Sequence, residues 1–230
     1  MSGGAQSASF VVVATGLRAE ARIAARVAQV RAVAGGGYGR LEQLIREEIA
    51  EGGEAIVSFG IAAGLAPGRG PGTCLVGSEI AHGGIRYSAD KAWAARLQSI
   101  IGGAELAAIA GVDHPLQSPA EKQALYAETS ALAADMESHI AARLATEHGL
   151  PFAALRVIAD PAVRGVPPAA LAGMSKDGRV DLWAVLASLA RAPDQLPAMM
   201  SLAADMRRAT AELFRCYRIV GPGFSFFDFS

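Results

Sequence analysis

Three acidic side chains stand out by type and spacing. Asp135 and Glu137 sit two residues apart in the run Asp135-Met136-Glu137-Ser138, and Asp160 closes Arg156-Val157-Ile158-Ala159-Asp160. Carboxylates that share a pocket can divide acid–base work. One donates a proton to a leaving group, while another accepts hydrogen bonds or steadies developing positive charge. Taken singly, each has an ordinary explanation: Asp135 and Glu137 complement the positive end of a helix, and Asp160 is a turn residue before Pro161. Their chemistry depends on whether the chain brings them together.

The stretch from Ala133 to Pro161 is built to do so. Met136, Ile140 and Leu144 recur every four residues, which predicts one face of a helix. Gly149 supplies the left-handed residue that ends such a helix, and Pro151 prevents its continuation. Phe152 to Ile158 reads as a buried strand, apolar except for Arg156. Asp160 follows at its C-terminal end, the edge where open α/β sheets place their ligands. Helix and strand run antiparallel, so the helix start and the strand end meet, and Glu137 and Asp160 face one pocket.

The rest of the chain predicts alternating strands and helices. Phe10-Val11-Val12-Val13 is a first buried strand before Gly16. Arg18 to Val30 carries Ile23, Val27 and Val30 at helical spacing, and Val30 to Val33 forms a short strand ahead of Gly35-Gly36-Gly37. Those glycines lack the spacing of a dinucleotide fingerprint and read as a turn. Leu41 to Glu51 is an amphipathic helix, and Ala55 to Phe59 a strand that runs into Gly60-Ile61-Ala62-Ala63-Gly64-Leu65. Small residues after a buried strand allow either a tight turn or close approach of a ligand to backbone. Thr73 to Gly77 and Leu106 to Val112 are further strands. Ser88 to Leu97, Pro119 to Leu125, Asp181 to Ala190 and Met199 to Phe214 are helical. The pattern predicts one domain spanning 1–230, of α/β class: three layers, with a mixed, mostly parallel twisted sheet flanked by helices. The aromatic tail Gly221 to Ser230 is expected to pack within the molecule or against a second copy, or to meet a lipid-like surface.

The residues Asp135-Met136-Glu137-Ser138, Pro151-Phe152 and Arg156 to Asp160 resemble the signature of the nucleoside phosphorylase/nucleosidase superfamily, in the branch with methylthioadenosine/S-adenosylhomocysteine nucleosidase. The opening Ala14-Thr15-Gly16-Leu17-Arg18-Ala19-Glu20-Ala21-Arg22 is more similar still to the hopanoid-associated phosphorylase subgroup. The resemblance implies a nucleoside phosphorylase-like fold and cleavage of the N-glycosidic bond of an adenine nucleoside with a bulky apolar 5′ substituent. It assigns Asp160 as donor to the purine N7, Glu137 as acceptor from the ribose hydroxyls, Met136 to the sugar face, and Asp135 to the same substrate site. Ala62, Ala63 and Gly64 match the family's small-residue loop at the ribose. His114 and Leu116 stand where relatives contact the base.

The nucleophile stays open between water and phosphate. Family nucleosidases hold water with a glutamate in the first strand–helix loop, which points to Glu20 after a one-residue shift from Gly16. Phosphorylases present arginines to phosphate, and the corresponding places here hold Glu20 and Ser58. Gly16, Arg18 and Arg22 are the alternative anion site, with phosphate as co-substrate and no other cofactor. A ligand-binding protein without turnover is the reading of a different class, and the presence of both Glu137 and Asp160 speaks against it.

Composition excludes several other roles. The 230 residues are 52% hydrophobic and 19% charged with a formal net charge of −1, so the chain is globular with no electrostatic case for nucleic acid. Cys74 and Cys216 form no CxxC pair, and His82, His114, His139 and His148 show no HExxH-type spacing, so no metal is expected. No signal peptide and no spanning apolar run is visible, which predicts a cytoplasmic protein. The family resemblance implies a homodimer.

Overall fold

A computed structural model describes residues 9–24, 29–34, 38–173 and 182–227 of the chain. Strand β1 (Phe10–Thr15) is buried along its whole length, as its unbroken apolar run requires. Helix α1 (Arg18–Ala24) returns the chain to β2 (Val30–Ala34), which pairs parallel to β1. Val30 therefore opens a strand instead of closing the helix. Val27 and Gly35 to Gly37 lie outside the described residues. Helix α2 (Tyr38–Ala50) leads to β3 (Gly53–Gly64), a 12-residue strand that runs parallel to β1. The small-residue segment 60–64, expected as a loop, is the second half of that strand.

Next come β4 (Cys74–His82), β5 (Ile85–Ser88) and α3 (Lys91–Ile101). The β4–β5 hairpin turns at Gly83-Gly84, and Asp90 caps α3 by accepting from Trp93 N at 2.8 Å, so Ser88 belongs to a strand and not to the helix. Strand β6 (Glu105–Gly111) precedes α4 (Pro119–Thr129). Ser118 and Glu121 form a capping box at the start of α4, with proline at its first turn. The short β7 (Ala133–Asp135), helix α5 (Ser138–His148) and β8 (Phe152–Asp160) follow. Gly149 ends α5 at φ 65°, in the left-handed region its sequence position suggested. Three α-helices follow, α6 (Pro168–Ala172), α7 (Leu182–Arg191) and the 25-residue α8 (Leu196–Val220), with short 3-10 turns at Pro193–Gln195 and Pro222–Ser225.

The strands form one mixed, mostly parallel sheet in the order β2-β1-β3-β7-β6-β4-β5, flanked by helices. Strand β8 pairs parallel with β3 and antiparallel with β4, so β3, β7, β6, β4 and β8 close into a ring. The closure brings the ends of β3, β7 and β8 to one rim. Cys74 and Cys216, 142 residues apart in sequence, meet in the core as free thiols with sulfurs 3.4 Å apart. The described part of the tail, to Phe227, folds back on the body. Phe224 is buried against Phe59 and Tyr217, and its carbonyl accepts from Trp93 Nε1 at 2.8 Å. Asp181 and the last three residues lie outside the described residues.

Candidate active site

At the rim where β3, β7 and β8 end, a cleft of about 480 Å³ opens. Its polar wall is built around a residue that the sequence presents only as an exception in an apolar strand. Arg156 projects from β8 into the interior and is completely buried. Its Nε lies 3.1 Å from Asp135 Oδ2 and its Nη2 lies 3.3 Å from Glu137 Oε2. The guanidinium also donates to Ser58 Oγ and to the Ile61 carbonyl. Ser138 Oγ donates to Asp135 Oδ2 at 2.6 Å, so Ser58 and Ser138 complete the shell around the cation.

Asp135 holds the chain as well as the cation. Its Oδ1 accepts from Glu137 N at 2.8 Å and from Ser138 N at 2.6 Å, satisfying donors at the start of α5 that have no partner in the helix. This turn aims the Glu137 side chain into the cleft. Met136 lies in the turn itself and not on the face of the helix, and it lines the cleft beside Glu137.

Glu20 arrives from α1, buried. Its Oε2 accepts from Gly16 N at 3.1 Å and Leu17 N at 2.8 Å, and its Oε1 accepts from Ile61 N at 2.9 Å. One helical turn after the first loop thus delivers the carboxylate to the cleft. Two glycines make room for these groups. A Cβ on Gly16 would stand 2.5 Å from Glu137 Oε1, and one on Gly60 would stand 2.7 Å from both Arg156 Nη1 and Glu20 Oε1. Neither position tolerates a side chain without moving a carboxylate.

Three buried carboxylates around one guanidinium cannot all be charged without cost. Burial pushes the Glu137 carboxyl up to about 8; Arg156 opposes the shift and the negative neighbours Asp135 and Glu20 add to it. Burial also raises Glu20, against the pull of Arg156 and its three backbone donors. Burial therefore makes the cluster hold a proton more tightly than free carboxylates do.

Asp160 stands across the cleft at the end of β8, its side chain 14% exposed. Burial raises its carboxyl above the ordinary range, and the ammonium of Lys122 opposes the rise. Lys122, on α4, is completely buried and lies 2.5 Å from Asp160 Oδ2. Nothing in the local sequence marks it, because its partner is 38 residues away.

Of the residues singled out by sequence, Gly16, Glu20, Ala62, Ala63, Leu116, Asp135, Met136, Glu137 and Asp160 line this cleft. Gly64, His114, Arg18 and Arg22 do not line it. His114 and Arg22 are exposed, and Asp113 and Pro115 face the cleft where His114 was expected. Among the described residues, no lysine or arginine is in its lining. Much of the remaining lining is apolar, with Val166, Ala170, Val185, Met199, Leu202 and Met206 contributed by α6, α7, α8 and the loop before α6.

Beside the rim, ligand atoms of His82, Asp113 and His139 lie within 4.8 Å of one another. The two imidazoles stack face to face at 4.2 Å and 22°, so their in-plane lone pairs do not converge as a metal requires. Burial, then the neighbouring His82, lower His139 to about 4, which makes it a neutral packing residue.

A family model described as the phosphorylase superfamily matches residues 11–192. No curated protein sequence matches the chain. Among solved structures, 5′-methylthioadenosine/S-adenosylhomocysteine nucleosidase of Helicobacter pylori is similar, with a TM-score of 0.66 at 14% identity over 93% of this chain and 97% of that one. The corresponding nucleosidase of Neisseria meningitidis, in complex with methylthio-immucillin-A, has a TM-score of 0.64 at 15% identity over 92% and 97% of the two chains. Futalosine hydrolase of Helicobacter pylori has a TM-score of 0.60 at 16% identity over 66% and 88%.

Proposed function

The chain belongs to the phosphorylase superfamily, and on that premise we propose that it hydrolyses the N-glycosidic bond of an adenine nucleoside carrying a bulky apolar 5′ group. The observation that carries this reading is the meeting of Glu20, Glu137 and Asp160 on one cleft whose lining is otherwise largely apolar. Asp160 holds a proton above the ordinary carboxylate range and is placed to give it to the departing base. As the C1′–N bond breaks, its electrons leave with the base and positive charge develops on the sugar. Glu137 and the surrounding carboxylates favour that charge, and Glu137 accepts hydrogen bonds from the ribose hydroxyls. Met136 packs on the sugar. Glu20 orients a water on the opposite face and takes up its proton as the new C1′–O bond forms.

Hydrolysis is favoured over phosphorolysis by charge. A phosphate dianion in this cleft would face buried carboxylates, while Arg156, the nearest guanidinium to them, is already engaged by Asp135 and Glu137. The apolar lining contributed by α6, α7 and α8 supports a large apolar substituent. Trp183, Leu186 and Met200 also expose apolar surface on α7 and α8, in keeping with a lipid-linked substrate. The resemblance to the hopanoid-associated subgroup suggests adenosylhopane, hence a role in hopanoid biosynthesis, and a homodimer working in the cytoplasm. Among the described residues no helix is long and apolar enough to cross a membrane. The test is a panel of adenine nucleosides with 5′ substituents from hydroxyl through methylthio to long alkyl. Adenine release should rise in kcat/KM with apolar length. A preference for the unsubstituted nucleoside would overturn the proposed substrate class.

A further inference from the structure

The surroundings of Lys122 deepen the proposed reaction and rest on it. The Lys122 ammonium has three acceptors at hydrogen-bond distance: Asp160 Oδ2 at 2.5 Å, the Arg164 carbonyl at 2.7 Å and the Pro161 carbonyl at 3.0 Å. An ammonium has three hydrogens, and each is matched. A neutral amine would turn its lone pair toward one of these oxygens, so the cage fits the cation. The cage is also built in from both sides. Val166 N donates to the Gln117 carbonyl at 3.1 Å, and a Cβ on Gly165 would stand 2.6 Å from that same oxygen. The start of α4 is thereby laced to the loop that follows the acid.

We infer that Lys122 is the positioning residue of the general acid: by occupying Oδ2 it leaves Oδ1 as the oxygen from which Asp160 delivers its proton. An oxygen that accepts from a buried ammonium is a poor site for a proton, so the carboxyl is held in one tautomer. In the forward step the Oδ1 proton moves to the base nitrogen and the C1′–N electron pair leaves with the base. Lys122 stays protonated and pairs with the carboxylate that remains. Water supplies the hydroxyl to C1′, and its second proton passes through Glu20. The charged groups that face Asp160 are Lys122 on α4, Arg164 on the following loop and Asp205 on α8, the last two joined at 2.5 Å.

Lys122→Met and Lys122→Gln test this, the Gln variant keeping amide donors for the carbonyls without the charge. Only the protonated Asp160 is active, so activity falls as pH rises through its pKa. Loss of an adjacent cation should move that alkaline limb of kcat/KM up by about 1–3 pH units. The plateau of adenine release on the acid side of that limb, where Asp160 is protonated in every variant, should fall roughly tenfold or more, a part of the ~10²–10⁴-fold that a placed acid supplies. Hydrolysis of 4-nitrophenyl β-ribofuranoside, whose leaving group needs no proton, should stay within about threefold of the unsubstituted enzyme, since the acid contributes nothing there. An unmoved limb in both variants, or an equal loss on both substrates, would overturn the role of Lys122 while leaving the nucleosidase reading intact. Failure of the unsubstituted protein to release adenine from any nucleoside would overturn that reading and this inference with it.

Discussion

Replacing Arg156 by methionine should destabilise the protein most where its carboxylates are charged. The side chain is completely buried and holds Asp135 and Glu137 within 3.1 and 3.3 Å, with Glu20 close by. Methionine fills a similar length and carries no charge, so the acids lose the guanidinium that pairs with them without opening a large cavity. Removing one partner of a buried ion pair costs about 3–5 kcal/mol. For a chain of this size each kcal/mol lowers Tm by roughly 2–4 °C, so the expected loss is about 6–20 °C. The pH dependence has a definite sign. A carboxylate whose folded pKa is raised contributes stability below its unfolded value and loses it as pH rises through the folded value. In the intact protein Glu137 already titrates near 8 against an ordinary 4.5, and removal of Arg156 raises it further. The part of the Tm deficit of Arg156→Met that Glu137 carries should therefore be absent near pH 5 and appear as pH rises through about 8 and beyond. Thermal denaturation followed by circular dichroism from pH 5 to above pH 9 gives the answer. A deficit that is constant or shrinks with pH would refute the view that Arg156 neutralises these carboxylates.

Two further substitutions test the chemistry. Asp160→Asn should lower adenine release by about 10²–10⁴-fold while leaving nucleoside binding, read by calorimetry, largely intact; near-normal turnover would remove Asp160 from the acid role. Glu137→Gln should cost ribonucleosides about 1–3 kcal/mol in kcat/KM and 2′-deoxynucleosides less, because an unmade hydrogen bond is felt only where the hydroxyl exists. Equal losses on both would mean that Glu137 does not hold the 2′-hydroxyl.

The carboxylates were legible in the sequence because local rules place them. A helix that Gly149 ends and a strand that Pro151 starts fix the antiparallel return, which puts Glu137 and Asp160 on one rim. What escaped was set by pairings distant in sequence. Strand β8 satisfies both β3 and β4, and no local period reveals that closure. The three-residue β7 is too short to show alternation, and its pairing with β3 and β6 is what seats Asp135. Arg156 was visible as a single charge in a buried strand, a signal that demanded partners. Lys122 sits in a polar helix whose exposed face hides one inward cation, and only the fold shows its acid. The arginines of the first loop drew attention by type, yet α1 turns Arg22 outward and Glu20 inward.

The central claim is that a carboxylate-held water, not phosphate, attacks the sugar. Incubating the purified protein with a 5′-alkyl adenine nucleoside, with and without phosphate, and identifying the sugar product tests it directly. The geometry around Glu20 predicts a free reducing sugar at a rate unchanged from phosphate-free buffer to millimolar phosphate, with Glu20→Gln inactive in both. A sugar 1-phosphate, formed at a rate that rises with phosphate, would contradict it.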